Sequence, residues 1–235
     1  MSNLVLASAS PRRRELLSQA GYTFTVRPAH IPEDPRPDED PIAYVVRLAR
    51  EKAVAVFKEM ATGAEEAAEQ GLKPRSFSSD TVGTTEVVPC YKTGNGLNQL
   101  VVLGADTTVT LDGHILGKPE DADDAARMLR MLSGRTHRVI TGVALATAGG
   151  TEVAAEVTAV RFITLSDGEI AEYVATGEPL DKAGAYAIQG RAARWIPRVE
   201  GCYFNVVGLP LALVSTMLES IGTEELANSI ISKSE

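Results

Sequence analysis

Hydrophobic and polar positions follow two different periods along the chain, and the switches between them divide it into elements. Leu4-Val5-Leu6-Ala7 is a short apolar run that reads as a buried strand. Ser-Ala-Ser-Pro stops it; Ser10 suits an N-cap and Pro11 the first helical position, where a missing N–H costs nothing. Gly21 ends that helix in the manner of a C′ glycine, and residues 22–26 alternate like a strand. Residues 30–41 hold four prolines and five acidic residues, which predicts a loop. Asp40-Pro41 is a helix start signal. Behind it Ile42, Val45, Val46, Ala49, Ala53, Val56 and Phe57 keep helical spacing, predicting a long amphipathic helix.

From residue 62 to 99 the period dissolves into Gly, Ser, Thr and Glu, with Val87-Val88 as a candidate short strand and Gly94-Asn95-Gly96 as a turn. A structureless stretch of this length is unusual inside a compact domain. It reads as a surface insertion in one domain spanning residues 1–235. Order returns at residues 100–111, a buried strand expected to break at Gly104-Ala105-Asp106 and then continue. Asp112-Gly113 supplies a hairpin turn. Residues 121–132 form a helix capped by Asp121, with Ala125, Met128, Leu129 and Leu132 on one face. Strands follow at 138–146 and 151–164, and Ser166-Asp167-Gly168-Glu169 is a capping box for a helix to Val174. Residues 177–190 read as a dense loop and 198–207 as strand with a turn at Glu200-Gly201. A last apolar helix opens at Pro210 and is expected to end near Gly222, followed by a short amphipathic helix. Alternating strands and helices make the chain α/β, and the hairpins make its sheet mixed.

Composition narrows the class. The apolar fraction of 44% and charged fraction of 23% are those of an ordinary globular protein. A net charge of -8 argues against binding nucleic acid through a basic surface. Cys90 and Cys202 form no Cys-x-x-Cys pair and indicate neither a disulfide scaffold nor a zinc site. No basic leader precedes an apolar run, and no stretch approaches the ~18 apolar residues of a membrane span. The expected compartment is the cytoplasm.

Against that acidic background the local cations stand out. Arg12 and Arg13 fall in the first turn of a helix, where the macrodipole disfavours cations. A bound anion resolves the conflict, because free N–H groups and guanidinium forks both seek phosphate or carboxylate. A solvated basic turn is the alternative. Asp106 is a carboxylate between two apolar β runs, where it either serves chemistry or caps a turn at a strand break. Lys52 serves the site or simply faces solvent. No Gly-x-x-x-x-Gly-Lys-Ser/Thr loop, Gly-x-Gly-x-x-Gly turn, His-Glu-x-x-His pair or Gly-x-Ser-x-Gly elbow occurs. What is left is a set of cations (Arg12, Arg13, Lys52, Lys118) and two carboxylates, Glu33 and Asp106. That set suits metal-assisted phosphoryl chemistry, in which cations neutralise phosphate and a carboxylate activates water.

Taken together, L-A-S-A-S-P-R-R-R-E-L-L, Y-V-V-R-L-A-R-E-K-A, V-L-G-A-D-T-T-V, L-G-K-P, M-L-R-M-L-S-G-R-T-H, G-E-P-L-D-K-A-G-A-Y-A-I-Q-G and N-V-V-G-L-P-L are far more specific than any one block. In this order, and covering nearly all of the chain outside residues 62–99 and the tail, they resemble the Maf family of septum-formation-inhibitor-like nucleotide pyrophosphatases. The resemblance implies a bent mixed β-sheet flanked by helices around a central cleft, a Maf/inosine-triphosphatase-like fold. It also implies hydrolysis of a nucleoside triphosphate to the monophosphate and pyrophosphate with a divalent metal cation, Mg²⁺ or Mn²⁺.

Carried over by position, Asp106 resembles the catalytic base, and Arg12, Thr107 and Gln189 the residues tied to substrate choice. Ser8, Arg12, Arg13, Lys52 and Lys118 match the phosphate-binding positions, and Glu33 with Asp106 the metal-binding ones. Arg14 is left to the solvated surface. The I-Q-G form resembles the branch acting on dTTP, UTP and related pyrimidine nucleotides; the branch acting on 7-methyl-GTP usually has Glu near this point. A Gln amide offers an acceptor and donors that match the imide edge of uracil or thymine, whereas a carboxylate only accepts. Ala187, where the family often has Gly, and Arg191-Ala192-Ala193-Arg194, in place of a more Gly-rich stretch, bear on substrate breadth rather than on the reaction. A nucleotide and, in a homodimer, a second copy of the chain are the expected partners; nucleic acid and membrane are not. The alternatives are a 7-methyl-GTP or modified-nucleotide pyrophosphatase, and a non-catalytic nucleotide-binding regulator of cell division.

Overall fold

One strand, twelve residues long and covered on both faces, carries the rest of the architecture. The computed structural model of the chain describes residues 3–69 and 99–231. Its elements are β1 (Asn3–Leu6), α1 (Pro11–Gln19), β2 (Phe24–Val26), α2 (Pro41–Glu69), β3 (Leu100–Leu111), β4 (His114–Leu116), α3 (Ala122–Leu132), β5 (Thr136–Thr147), β6 (Gly150–Arg161), α4 (Asp167–Val174), β7 (Arg198–Glu200), α5 (Tyr203–Val207) and α6 (Leu211–Ile231). The sheet runs β2-β1-β3-β5-β6-β7, with β4 hairpinned onto the end of β3. β1 pairs in parallel with β2 and with the first third of β3; all other pairs are antiparallel. The sheet is mixed, as the sequence predicts.

Side-chain alternation along β3 assigns its residues to two cores. Val102, with Val5, Ala7, Ala144 and Ala146, meets Ala49, Ala53, Val56 and Met60 of α2. Val101, Leu103, Ala105 and Val109 belong to the larger core on the opposite face, with Leu16 and Leu17 of α1, Met128, Leu129 and Leu132 of α3 and Val214 of α6. A strand buried on both faces reads as a continuous apolar run, which is how residues 100–111 appear in the sequence.

The expected break at Gly104-Ala105-Asp106 does not occur; β3 is continuous, and Asp106 stands opposite Gly142 of β5. Gly104 marks a close approach instead. A Cβ there would lie 2.1 Å from the Ala49 carbonyl oxygen, and one on Gly142 would lie 2.3 Å from that of Val45. The backbone of α2 therefore lies directly on the sheet across two glycines. Asp40 starts this helix, its Oδ1 accepting from the N–H groups of Ile42 and Ala43 at 2.9 and 3.1 Å.

Other boundaries differ from expectation for identifiable reasons. α2 runs on through residues 62–69, expected to open the insertion, because Ala and Glu there are strong helix formers. The rest of the insertion, with Val87-Val88 and the Gly94-Asn95-Gly96 turn, lies outside the described residues. The strand expected at 198–207 stops at Glu200. Gly201 turns the chain (φ 118°), and α5 follows so that fully buried Asn205 can donate to Val139 O at 3.0 Å and Thr158 Oγ1 at 2.9 Å. α6 passes through Gly222 to Ile231 rather than ending there, since one interior Gly costs a helix only about 1 kcal/mol. Short 3₁₀ turns, Glu178–Asp181 and Ala183–Ala185, build the loop expected at 177–190. Among the described residues no helix is long and apolar enough to cross a membrane.

Candidate active site

A cleft of about 800 Å³ opens at the end of β1, where the chain leaves the sheet for α1. Ser8, Arg12, Arg13, Glu33, Lys52, Asp106, Thr107, Lys118 and Gln189 all line it, although they come from six separate parts of the chain. Two smaller hollows, of about 410 and 500 Å³, lie elsewhere on the surface and contain none of these residues.

Its floor follows from the glycine contact between α2 and the sheet. With Ala49 and Ala53 against Gly104, Lys52 projects from the same stretch of helix over the neighbouring Asp106. Lys52 Nζ donates to Asp106 Oδ1 at 2.7 Å and lies 2.5 Å from Glu33 Oε1. Lys52 and Asp106 are 7% and 8% exposed, so this pair is largely withdrawn from water, while Glu33 arrives from the exposed proline-rich loop. Tyr44 holds that loop by donating to Glu33 O at 2.8 Å; burial first, then the Asp106 and Glu33 charges, push its phenol up to about 12, so it stays a donor.

The two carboxylates on this one ammonium titrate in opposite directions. Burial raises Asp106 and outweighs the lowering charges of Lys52 and Arg13. Burial also pushes Glu33 upward, but the hydrogen bond and charge of Lys52, helped by Lys118 and Arg13, prevail and lower it. Such a divided pair gives one carboxylate suited to take a proton and one that stays charged.

Arg13 stands at the head of α1, and most of its donors point into the protein. Nε donates to Gly208 O at 2.8 Å, Nη1 to Ala105 O at 2.9 Å and to Ser8 Oγ at 3.2 Å, and Nη2 to Thr107 Oγ1 at 2.9 Å. Thr107 in turn bonds Thr141 Oγ1 at 2.9 Å. The dipole conflict read from the sequence is met here by carbonyl and hydroxyl acceptors around Arg13, which flank the residue before Asp106 and the one after it. Arg12 is freer: its Nη1 is 3.8 Å from Asp181 Oδ2 across the cleft mouth. Lys118 and Gln189 are exposed, and Gln189 makes no side-chain hydrogen bond among the described residues. Arg14 is exposed, as expected.

Among the lining residues not singled out from the sequence are Tyr44, Lys182 and Tyr186. Lys182 donates to Glu178 O at 2.7 Å and pairs with Asp181. It sits inside the D-K-A-G block, where its charge looks like that of any loop. Tyr186 is buried, its hydroxyl 2.8 Å from His137 Nε2 and its ring edge-on to Phe162. In all, the cleft is lined by five basic and five acidic side chains.

Among the described residues no three His, Cys, Asp or Glu side chains converge as a ready-made metal centre. Mg²⁺ does not need one, since it commonly takes one or two carboxylates and leaves its remaining positions to substrate phosphates and water. Glu33 and Asp106 converge with one oxygen each on Lys52, and the second oxygen of each makes no hydrogen bond among the described residues. That donor set fits a phosphate-bound divalent cation.

An α/β fold with a cleft that combines guanidinium, ammonium and carboxylate groups with an amide unbonded among the described residues has the chemistry to handle a small phosphorylated ligand. The chain belongs to the family of Maf-like proteins, whose pattern matches residues 3–221. It is 48% identical over 219 residues to a dTTP/UTP pyrophosphatase of Koribacter versatilis, covering 93% of this chain and 94% of the relative. A dTTP/UTP pyrophosphatase of Chromobacterium violaceum is 44% identical, with 95% and 96% covered, and one of Moorella thermoacetica 45% identical, with 95% and 97% covered.

Proposed function

We propose that this chain is a nucleoside triphosphate pyrophosphatase that hydrolyses dTTP and UTP to the monophosphate and pyrophosphate. The observation that carries the reading is the buried Lys52–Asp106 pair with Glu33 beside it, in a cleft large enough for a nucleotide. The relatives' printed activity supports the substrate class. Water attacks the α-phosphorus, Asp106 accepts its proton, the bond from that phosphorus to the bridging oxygen breaks, and pyrophosphate leaves. Burial raises the Asp106 pKa towards that task. Lys52, Lys118 and Arg12 hold phosphate oxygens; Arg13 holds the Ala105 carbonyl and the Thr107 hydroxyl on either side of Asp106. A divalent cation, Mg²⁺ or Mn²⁺, held by Glu33 and Asp106, supplies neutralisation of phosphate charge when bound.

Gln189 reads the base. Its exposed amide, free among the described residues, presents an acceptor and donors to the imide edge of uracil or thymine. A purely regulatory nucleotide-binding protein would not need a buried carboxylate with a raised pKa facing the phosphate site. The expected compartment is the cytoplasm, where nucleoside triphosphates are made and used. The test is pyrophosphate release from a panel of dTTP, UTP, dCTP, GTP and 7-methyl-GTP, with and without a chelator. Release from dTTP and UTP that the chelator abolishes supports the proposal; binding without release from any of them overturns it.

A further inference from the structure

The backbone on either side of Gln189 is tied to one carboxylate that lies outside the cleft. Tyr173 of α4 is 1% exposed, and its ring packs edge-on against Trp195 at 5.0 Å, so its position is fixed by the core. Its hydroxyl donates to Glu178 Oε1 at 2.7 Å and accepts from the N–H of Ala187 at 3.1 Å. The same Glu178 Oε1 accepts from the N–H of Arg191 at 3.1 Å. Ala187 and Arg191 bracket Gln189 two residues before and two residues after.

Gly190 completes the arrangement. A Cβ on it would lie 1.9 Å from Glu178 Oε1. The end of a glutamate side chain usually swings away from such a clash, but this one is held by Tyr173 and Arg191. Position 190 therefore admits no side chain while the carboxylate is in place. Neither Tyr173 nor Glu178 lines the cleft.

We infer that Glu178, acting through Tyr173, is a positioning residue for base recognition: it clamps residues 187–191 so that the Gln189 amide meets the base in a fixed orientation. The inference rests on the proposed role of Gln189. A side chain with no bonds of its own can discriminate only if the backbone carrying it is held. The clamp supplies that hold without occupying the rim where the base sits.

The experiment pairs hydrogen exchange with kinetics. In Glu178→Ala the amides of Ala187 and Arg191 lose their acceptors or the group that holds them, and their exchange should speed up by about tenfold or more. KM for dTTP and UTP should rise by about tenfold while kcat stays within about twofold, because the phosphate end is untouched. Glu178→Gln should restore both, since the two donors converge on a single oxygen that the amide retains. Gly190→Ala should reproduce the Glu178→Ala pattern by displacing the carboxylate. Unchanged exchange in Glu178→Ala overturns the clamp, as does equal behaviour of the Ala and Gln variants or a fall in kcat with KM unmoved. If Glu178→Ala does not fold, Tyr173→Phe removes the arm of the clamp to Ala187 and leaves the one to Arg191; faster Ala187 exchange with a raised KM supports the clamp, and no change in either overturns it. The exchange arm needs no turnover, so loss of the clamp and failure of the pyrophosphatase reading give different results.

Discussion

At the phosphate end of the cleft, side chains are bound to one another: Lys52 to Glu33 and Asp106, Arg13 to Ser8, Thr107 and two carbonyls. At the base end Gln189 is bound to nothing among the described residues, and only the backbone beside it is secured. The difference fits the roles proposed for the two ends. Transferring a phosphoryl group requires groups already aimed at the developing charge, and reorganising them during the reaction would raise the barrier. Discriminating a base requires free donors and acceptors whose unmet hydrogen bonds reject the wrong partner.

The comparison breaks first at Asp106. Asp106→Asn keeps the shape of the phosphate end but cannot take a proton, and pyrophosphate release should fall about a thousandfold. Turnover near the native rate would show that the preassembled end is not the reacting one.

The next effect in size concerns His137, which is buried at 2% exposure and supports Tyr186. Burial lowers its pKa from 6.5 to about 4. The unfolded chain therefore takes up a proton below pH 6.5 that the folded chain refuses until about 4, and stability falls as pH drops through that window. The loss should reach roughly 3 kcal/mol, and His137→Phe should remove that part of the slope in urea unfolding at a series of pH values.

Gly142→Ala sharpens the structural side of the contrast. Its methyl would meet the α2 backbone at Val45, so the helix must lift, at a cost of roughly 1–3 kcal/mol read from the denaturation midpoint. Because Lys52 rides on that helix, kcat should fall while base preference is kept. The smallest change is Gln189→Glu, which should alter the ratio of kcat/KM between dTTP and a purine triphosphate by about tenfold and leave stability untouched. A stability loss there would mean that the base end is held by its side chain after all.

Most of the framework was legible in the sequence because it rests on local rules. Ser10-Pro11, Asp40-Pro41, the Asp121 cap and the Ser166–Glu169 capping box start helices where expected, and Asp112-Gly113 turns the hairpin. What the sequence misled on depends on distant partners. Gly104 reads as a break because glycine weakens strands, and only the helix lying across it shows why it is there. Asn205 ends a strand pattern through bonds to Val139 and Thr158, more than forty residues away in the chain. The charged site residues were legible as a set left after the common motifs were excluded, the family blocks added Ser8, Thr107 and Gln189, and the structure gathers them all at one cleft. It also separates Arg12, which faces an exposed partner across the mouth, from Arg13, whose donors turn inward. Two adjacent arginines cannot be told apart by composition. Tyr44, Lys182, Tyr173 and Glu178 carry no signal of their own, because their importance lies in what they touch.

The equal number of acidic and basic side chains around the cleft bears on how quickly a nucleotide arrives. A wall with no excess of either charge gathers no long-range potential for a polyanion, and the chain's net charge of -8 repels one. Encounter should therefore proceed at an unsteered diffusional rate, with little of the steep slowing by salt seen where a positive funnel guides its ligand. Selection among nucleotides then falls on how long each stays, and dissociation rates should differ between bases far more than association rates do.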